Sequence, residues 1–146
     1  MGMCWCDEDY PEKEIKVTDP VKNREQRCGA CTINKLASVC RNEAAKWWVD
    51  PKTQVPIQRN KGEMIALMHS ELSEVLEAER KNTMDSHLPH RKGAEVELAD
   101  LLIRLLDYAG GHGYDLEGAF WEKLEYNRNR ADHKLENRVK EGGKAF

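Results

Sequence analysis

The chain reads as all-α, and three observations predict it. Apolar residues recur at intervals of three and four through the middle of the sequence, capping residues and Gly or Pro punctuate those runs, and no stretch alternates apolar with polar as a half-buried strand would. With 146 residues the sequence fits one domain, large enough to bury a core and small enough to gain from a subunit partner.

Residues 1–30 are polar, contain Pro11 and Pro20 and show no sustained period, so they read as an irregular N-terminal extension. Thr32 is an N-cap residue type, and Ile33, Leu36, Cys40, Ala44 and Trp47 then recur at helical spacing until Asp50-Pro51 stops the run. A proline-bearing loop follows to Arg59. Asn60 with Glu63 has the form of a capping box, and Met64, Ile65, Met68, Leu72, Val75 and Leu76 mark one face of a second helix ending near Lys81. After a connector through Leu88-Pro89-His90-Arg91, Ala94 to Ala109 is apolar almost all round, which predicts a central helix ended by Gly110, Gly111 and Gly113. Asp115 caps a fourth helix with Leu116, Ala119, Phe120 and Leu124 as its buried stripe, and a charged tail runs from Ala131 to Phe146.

Composition narrows the function. A formal net charge of -3 with 34% charged residues lacks the basic face that collects nucleic-acid phosphates. The apolar runs are too short to span a bilayer, and Asp7, Glu8 and Asp9 stand where a secretory leader carries positive charge, so the expectation is a cytoplasmic protein. Five cysteines, an odd number, suit a reducing compartment. Cys4-x-Cys6 and Cys28-x-x-Cys31 have the pair spacing of a structural zinc site, with reduced thiols in an extension as the alternative; Cys40 falls on an apolar helical face as a small core residue.

The chemistry is expected of carboxylates. At about 100° per residue, Glu71 and Glu74 lie about 60° apart on the second helix, and Glu97 and Asp100 are related in the same way on the third, each pair at the edge of an apolar stripe that in the third helix comprises Leu98, Leu101, Leu102, Leu105 and Ala109. Either pair alone is what a solvated helix face looks like. If the two helices pack antiparallel, four carboxylates converge, and their repulsion and lost hydration call for a hard divalent cation such as Mg2+ or Mn2+. Arg104, one turn past Asp100, offers a competing role as that acid's ion-pair partner.

Glu71-x-x-Glu74 followed by Glu97-x-x-Asp100 resembles the motif of the MazG-like all-α nucleoside triphosphate pyrophosphohydrolases of phage and bacterial type. Residues 31–146 share further features with them: Leu88-Pro89-His90-Arg91, the ending Tyr126-Asn127 to Arg130, Asp132-His133-Lys134, and Gly142-Gly143-Lys144 with Phe146. Ser70 stands where the family often has one more Glu, which leaves the number of metal ions open. The resemblance implies a four-helix MazG-like bundle that hydrolyses (deoxy)nucleoside triphosphates to the monophosphate and pyrophosphate, with Glu71, Glu74, Glu97 and Asp100 as catalytic metal ligands. Lys123, Tyr126, Asn127 and Arg130 would contact the phosphates. The substrate expectation leans to dGTP, in nucleotide pool control. It further implies a homo-oligomer, tetramer or dimer, whose clefts include a neighbour's residues.

Base selection stays open at this point. Trp47 and Trp48 could stack a base, although at helical spacing at least one belongs in the core, and His69 beside the acidic pair is more often packed or exposed than a ligand. Competing readings are a phosphoribosyl-ATP, dUTP or dCTP pyrophosphohydrolase of the same architecture, or a zinc-stabilised helical interaction module without catalysis.

Overall fold

Asn60 sets the start of the longest helix: its side chain accepts a hydrogen bond from the Glu63 backbone N–H, as the capping pattern predicts, and its extended backbone turns the chain into α2, Lys61–Lys81. The computed structural model describes residues 32–130 together with Lys134 and Asn137, and divides the chain into two compact units, Ile33–Tyr114 and Met1–Thr32 with Asp115–Phe146. The four cysteines of the extension, Cys4, Cys6, Cys28 and Cys31, lie outside the described residues, as does most of the charged tail.

Four α-helices are described: α1 Ile33–Glu43, α2, α3 Gly93–Gly111 and α4 Leu116–Asn129. The described residues contain no strand, only isolated bridges between Val49 and Pro56 and between Met84 and Lys92. None of these helices is long and apolar enough to cross a membrane.

The first helix is shorter than its apolar period suggests. It ends at Glu43, and Ala45–Trp48 tighten into a 3-10 turn, a common way to finish a helix, which redirects the two tryptophans. Trp48 is buried and Trp47 is 63% exposed. Asp50 then accepts from the backbone N–H groups of Lys52 and Thr53 and closes the loop that leads to α2.

Asn82, in the left-handed conformation, caps the C-terminus of α2 by donating its backbone N–H to Ala78 and Glu79. The connector returns to α3 through the Gly93 N–H, which donates to the Thr83 carbonyl at 2.9 Å. Ala78 opposes Gly93, Glu71 meets Arg104, and Met64 and Leu67 share a small pocket with Arg104 and Asp107. These contacts run in opposite senses along the chain, so α2 and α3 are antiparallel.

Helix α3 packs on both α1 and α2, consistent with its apolar character. Gly110 and Gly111 do not end it; they are its last turn, and His112 is the cap. Their role is close approach. A Cβ on Gly110 would lie 2.8 Å from the Ala37 carbonyl oxygen, and one on Gly111 would lie 2.2 Å from the Trp48 ring. The same Trp48 donates its Nε1–H to Asp107 Oδ1 at 2.9 Å, Arg59 stands 3.8 Å from Oδ2, and the Arg41 guanidinium lies 4.4 Å from the Trp48 ring centroid. A buried carboxylate is thereby neutralised and hydrogen-bonded, which is what makes its burial tolerable.

The core is smaller than the leucine content suggests. Among the described residues Ala37, Trp48, Met64, Ala94, Leu106 and Ala109 are its buried apolar side chains. Leu72, Leu98 and Leu102, expected on buried stripes, are about half exposed, because the covered face of α3 is the one that carries Gly93, Ala94, Leu106, Asp107 and Ala109. Cys40 is half-buried, and burial raises its thiol pKa. In the other unit Asp115 caps α4 by accepting from the Gly118 N–H, as predicted. The stripe expected of α4 is not buried: Ala119 and Phe120 are exposed and Leu116 and Leu124 half-buried, since no second helix of that unit is among the described residues to cover them.

The glycine seat gives a sign test. Alanine normally stabilises a helix interior relative to glycine by about 1 kcal/mol, but Gly111→Ala is expected to lower stability by about 1–3 kcal/mol through overlap with Trp48, measurable by urea unfolding. His112 gives a second. Its ring packs edge-on against Trp48 and Tyr108, and its Nε2 is buried without a hydrogen-bond partner, so burial first and then the Lys61 charge push its pKa below the ordinary 6.5. The unfolded chain takes up that proton more readily, so the contribution is present above about 6.5 and lost as pH falls through it. Thermal melts across this window should show a steeper acid-side fall for the native chain than for His112→Gln.

Candidate metal centre

A helix repeats its orientation after seven residues to within about 20°, so positions spaced three, four and three share one stripe. On α3 that stripe is Glu97, Asp100, Arg104 and Asp107; on α2 it is Met64, Leu67, Glu71 and Glu74. The antiparallel pairing lays one stripe on the other and sets Glu71 and Glu74 against the acidic half of α3. Glu71 is buried in the contact, Glu97 is half-buried beside it, and Glu74 and Asp100 stand exposed at its edge, as the sequence pattern predicts.

Carboxylate oxygens of Glu71, Glu97 and Asp100 lie within 4.8 Å of one another, with Glu71 buried, Glu97 half-buried and Asp100 exposed. Glu74 is exposed and lines a hollow of about 390 Å³ with Glu97, Glu77, Thr83, Asp85 and Gly93. Crowding leaves an electrostatic mark on Glu97. Desolvation first, then the charges of Glu74, Glu71, Asp100 and Asp85, raise its pKa above the ordinary carboxylate value. All four acids singled out in the sequence act on this one spot.

Two features were not read from the sequence. Asp85, in the connector, accepts from the backbone N–H groups of His87 and Leu88, and the Leu88 bond holds its carboxyl below the usual range. It still contributes negative charge at Glu97. Its only sequence signal is an acidic residue three positions before Leu88-Pro89. The second feature corrects an expectation: Arg104 does not pair with Asp100 on its own helix. Its Nε–H donates to Glu71 Oε1 across the helix contact at 2.6 Å. The reason is burial, because Glu71 is 5% exposed and needs a counter-charge more than exposed Asp100 does.

Comparison with models of known families, with curated proteins and with solved structures finds no match. An all-oxygen set, crowded and partly desolvated, fits a hard dication such as Mg2+ or Mn2+ better than zinc or copper, which favour sulfur and nitrogen.

His69 is exposed on α2, and Trp48 is committed to the core with Asp107. Lys123, Tyr126, Asn127 and Arg130 belong to the other unit, where the Lys123 Nζ and the Arg130 guanidinium lie 4.6 Å and 5.8 Å from the Tyr126 ring centroid. Lys123, Tyr126 and Asn127 line a groove along α4, with the Asn127 Oδ1 buried and without a partner among the described residues.

Crowded acids predict a link between metal and stability. A raised carboxyl pKa in the fold means that stability is favoured at low pH and lost as pH rises through the folded value, where Glu97 takes on charge. Glu97→Gln should therefore raise the melting temperature in chelator at neutral pH. Mn2+ should stabilise the native chain by about 2.7 kcal/mol at a hundred times its dissociation constant, and Asp100→Asn should abolish most of that gain. Calorimetric melts with and without Mn2+ check both.

Proposed function

We propose that this chain is a divalent-cation-dependent nucleoside triphosphate pyrophosphohydrolase of MazG-like type. The observation that carries the reading is the convergence of Glu71, Glu97 and Asp100 within 4.8 Å, with Glu74 beside them, from two Glu/Asp-x-x-Glu/Asp pairs on antiparallel helices. The motif resemblance over residues 31–146 gives the reaction, and the all-helical fold agrees with it. A four-helix bundle and a homo-oligomer, dimer or tetramer, belong to the same proposal. Half-exposed Leu72, Leu98 and Leu102 support it as apolar surface of the kind a subunit interface covers.

When bound, Mg2+ or Mn2+ supplies the positive charge that activates water at neutral pH and offsets charge developing on the phosphates. The protein's part is positioning and proton handling. Glu71, Glu97 and Asp100 would hold the cation, and exposed Glu74, which lines the hollow, would take the proton of the attacking water. Attack at the α-phosphorus leaves the nucleoside monophosphate and releases pyrophosphate. Lys123, Asn127 and Arg130, near one face of α4 with Tyr126 beside them, are the residues proposed to grip the phosphates. The substrate proposed is a deoxynucleotide, dGTP first, and the role is nucleotide pool control.

A panel of all ribo- and deoxynucleoside triphosphates with Mg2+ or Mn2+, products resolved, tests this directly. The expected products are monophosphate and pyrophosphate, only with metal. Glu74→Gln and Asp100→Asn should each lower kcat by about 100-fold or more with the circular dichroism of the helices retained. Full activity in both variants would refute the assignment.

A further inference from the structure

Glu71 is the buried member of the acidic group, and it is already engaged: Arg104 donates its Nε–H to Oε1 at 2.6 Å. The partners differ in environment. The Glu71 side chain is 7% exposed and that of Arg104 is 43% exposed, so the guanidinium reaches solvent while the carboxylate does not. Glu71 is also one of the three residues whose oxygens gather within 4.8 Å. A dication centred there and the Arg104 guanidinium would share one carboxylate at short range, and two cations so placed repel each other.

We propose that Arg104 and the divalent cation compete for Glu71, so that Arg104 acts as a resident counter-ion that metal binding displaces. This rests on the metal reading given above. Arg104 is the member of the pair free to leave, because its charge can be rehydrated and Glu71's cannot. Charges placed on other groups favour the same direction. Asp107 on the same stripe is held by Trp48 and Arg59, so Arg104 is not required there. Once displaced, the guanidinium is a planar five-donor group suited to phosphate oxygens, and a triphosphate that draws Arg104 off Glu71 would tighten metal binding in turn. Arg104 is in this sense a positioning residue that couples the two ligands.

The test is Mn2+ titration of the full chain without nucleotide. Arg104→Gln should bind Mn2+ about tenfold more tightly than the native protein, whereas Arg104→Lys, which keeps the charge, should stay near the native affinity. Unchanged or weaker binding by Arg104→Gln would overturn the competition, since a merely structural ion pair would give one of those results. A measurement on the native chain does not depend on a variant folding. The Arg104 Nε–H proton resonance, shifted by its carboxylate acceptor, should move when Mg2+ is added, and a resonance unmoved at saturating Mg2+ would overturn the proposal. Failure of the native protein to bind either ion at millimolar concentration would instead bring down the metal reading itself.

Discussion

The position of α3 is the constraint on which the rest depends. Gly110 and Gly111 let it come down on α1 and on the Trp48 ring, where any side chain would collide. The Trp48 hydrogen bond to Asp107 then fixes its rotation. A helix has one rotational freedom about its axis, so pinning Asp107 also determines where the residues three, seven and ten positions earlier point. Those are Arg104, Asp100 and Glu97. A packing detail at the C-terminal end of α3 thereby aims the acids at its N-terminal half toward α2.

The two buried carboxylates show how differently burial can be resolved. Asp107 receives a neutral hydrogen bond and a nearby guanidinium from groups that are themselves held in the core, which gives a closed arrangement. Glu71 has only the partly exposed Arg104, and it faces Glu97 and Asp100. Among the described residues Glu74, Glu97 and Asp100 have no cationic partner. The repulsion left standing is felt at Glu97, whose pKa it helps to raise, and a further positive charge there would relieve it.

Much of the helical order was legible from local chemistry. Asn60 and Asp115 cap as their residue types predict, Lys81 closes α2, and the carboxylate pairs fall where about 100° per residue puts them. The failures share a cause. Gly110 and Gly111 read as terminators because intrinsic propensity counts against glycine, whereas tertiary contact made their missing side chains useful. Leu98 and Leu102 read as core because periodicity cannot tell a stripe facing a neighbour from one beside it. Asp100 was the competing partner offered for Arg104 because sequence shows the neighbour four residues away and hides Glu71 across the contact.

Between α2 and α3 a cation turns to the more deeply buried acid, Arg104 to Glu71, while Leu98 and Leu102 stand half exposed on the same helix. Each carboxylate that replaces an apolar residue there removes dispersion and burial from the fold and adds repulsion, so the contact is weakest where the acids are densest. The same crowding is what would make a dication bind tightly, since the free energy withheld from folding is recovered when the charge is balanced. Stability and ligand affinity are in this way two readings of one electrostatic fact, at a contact whose close approach is made where Gly93 of α3 meets Ala78 of α2.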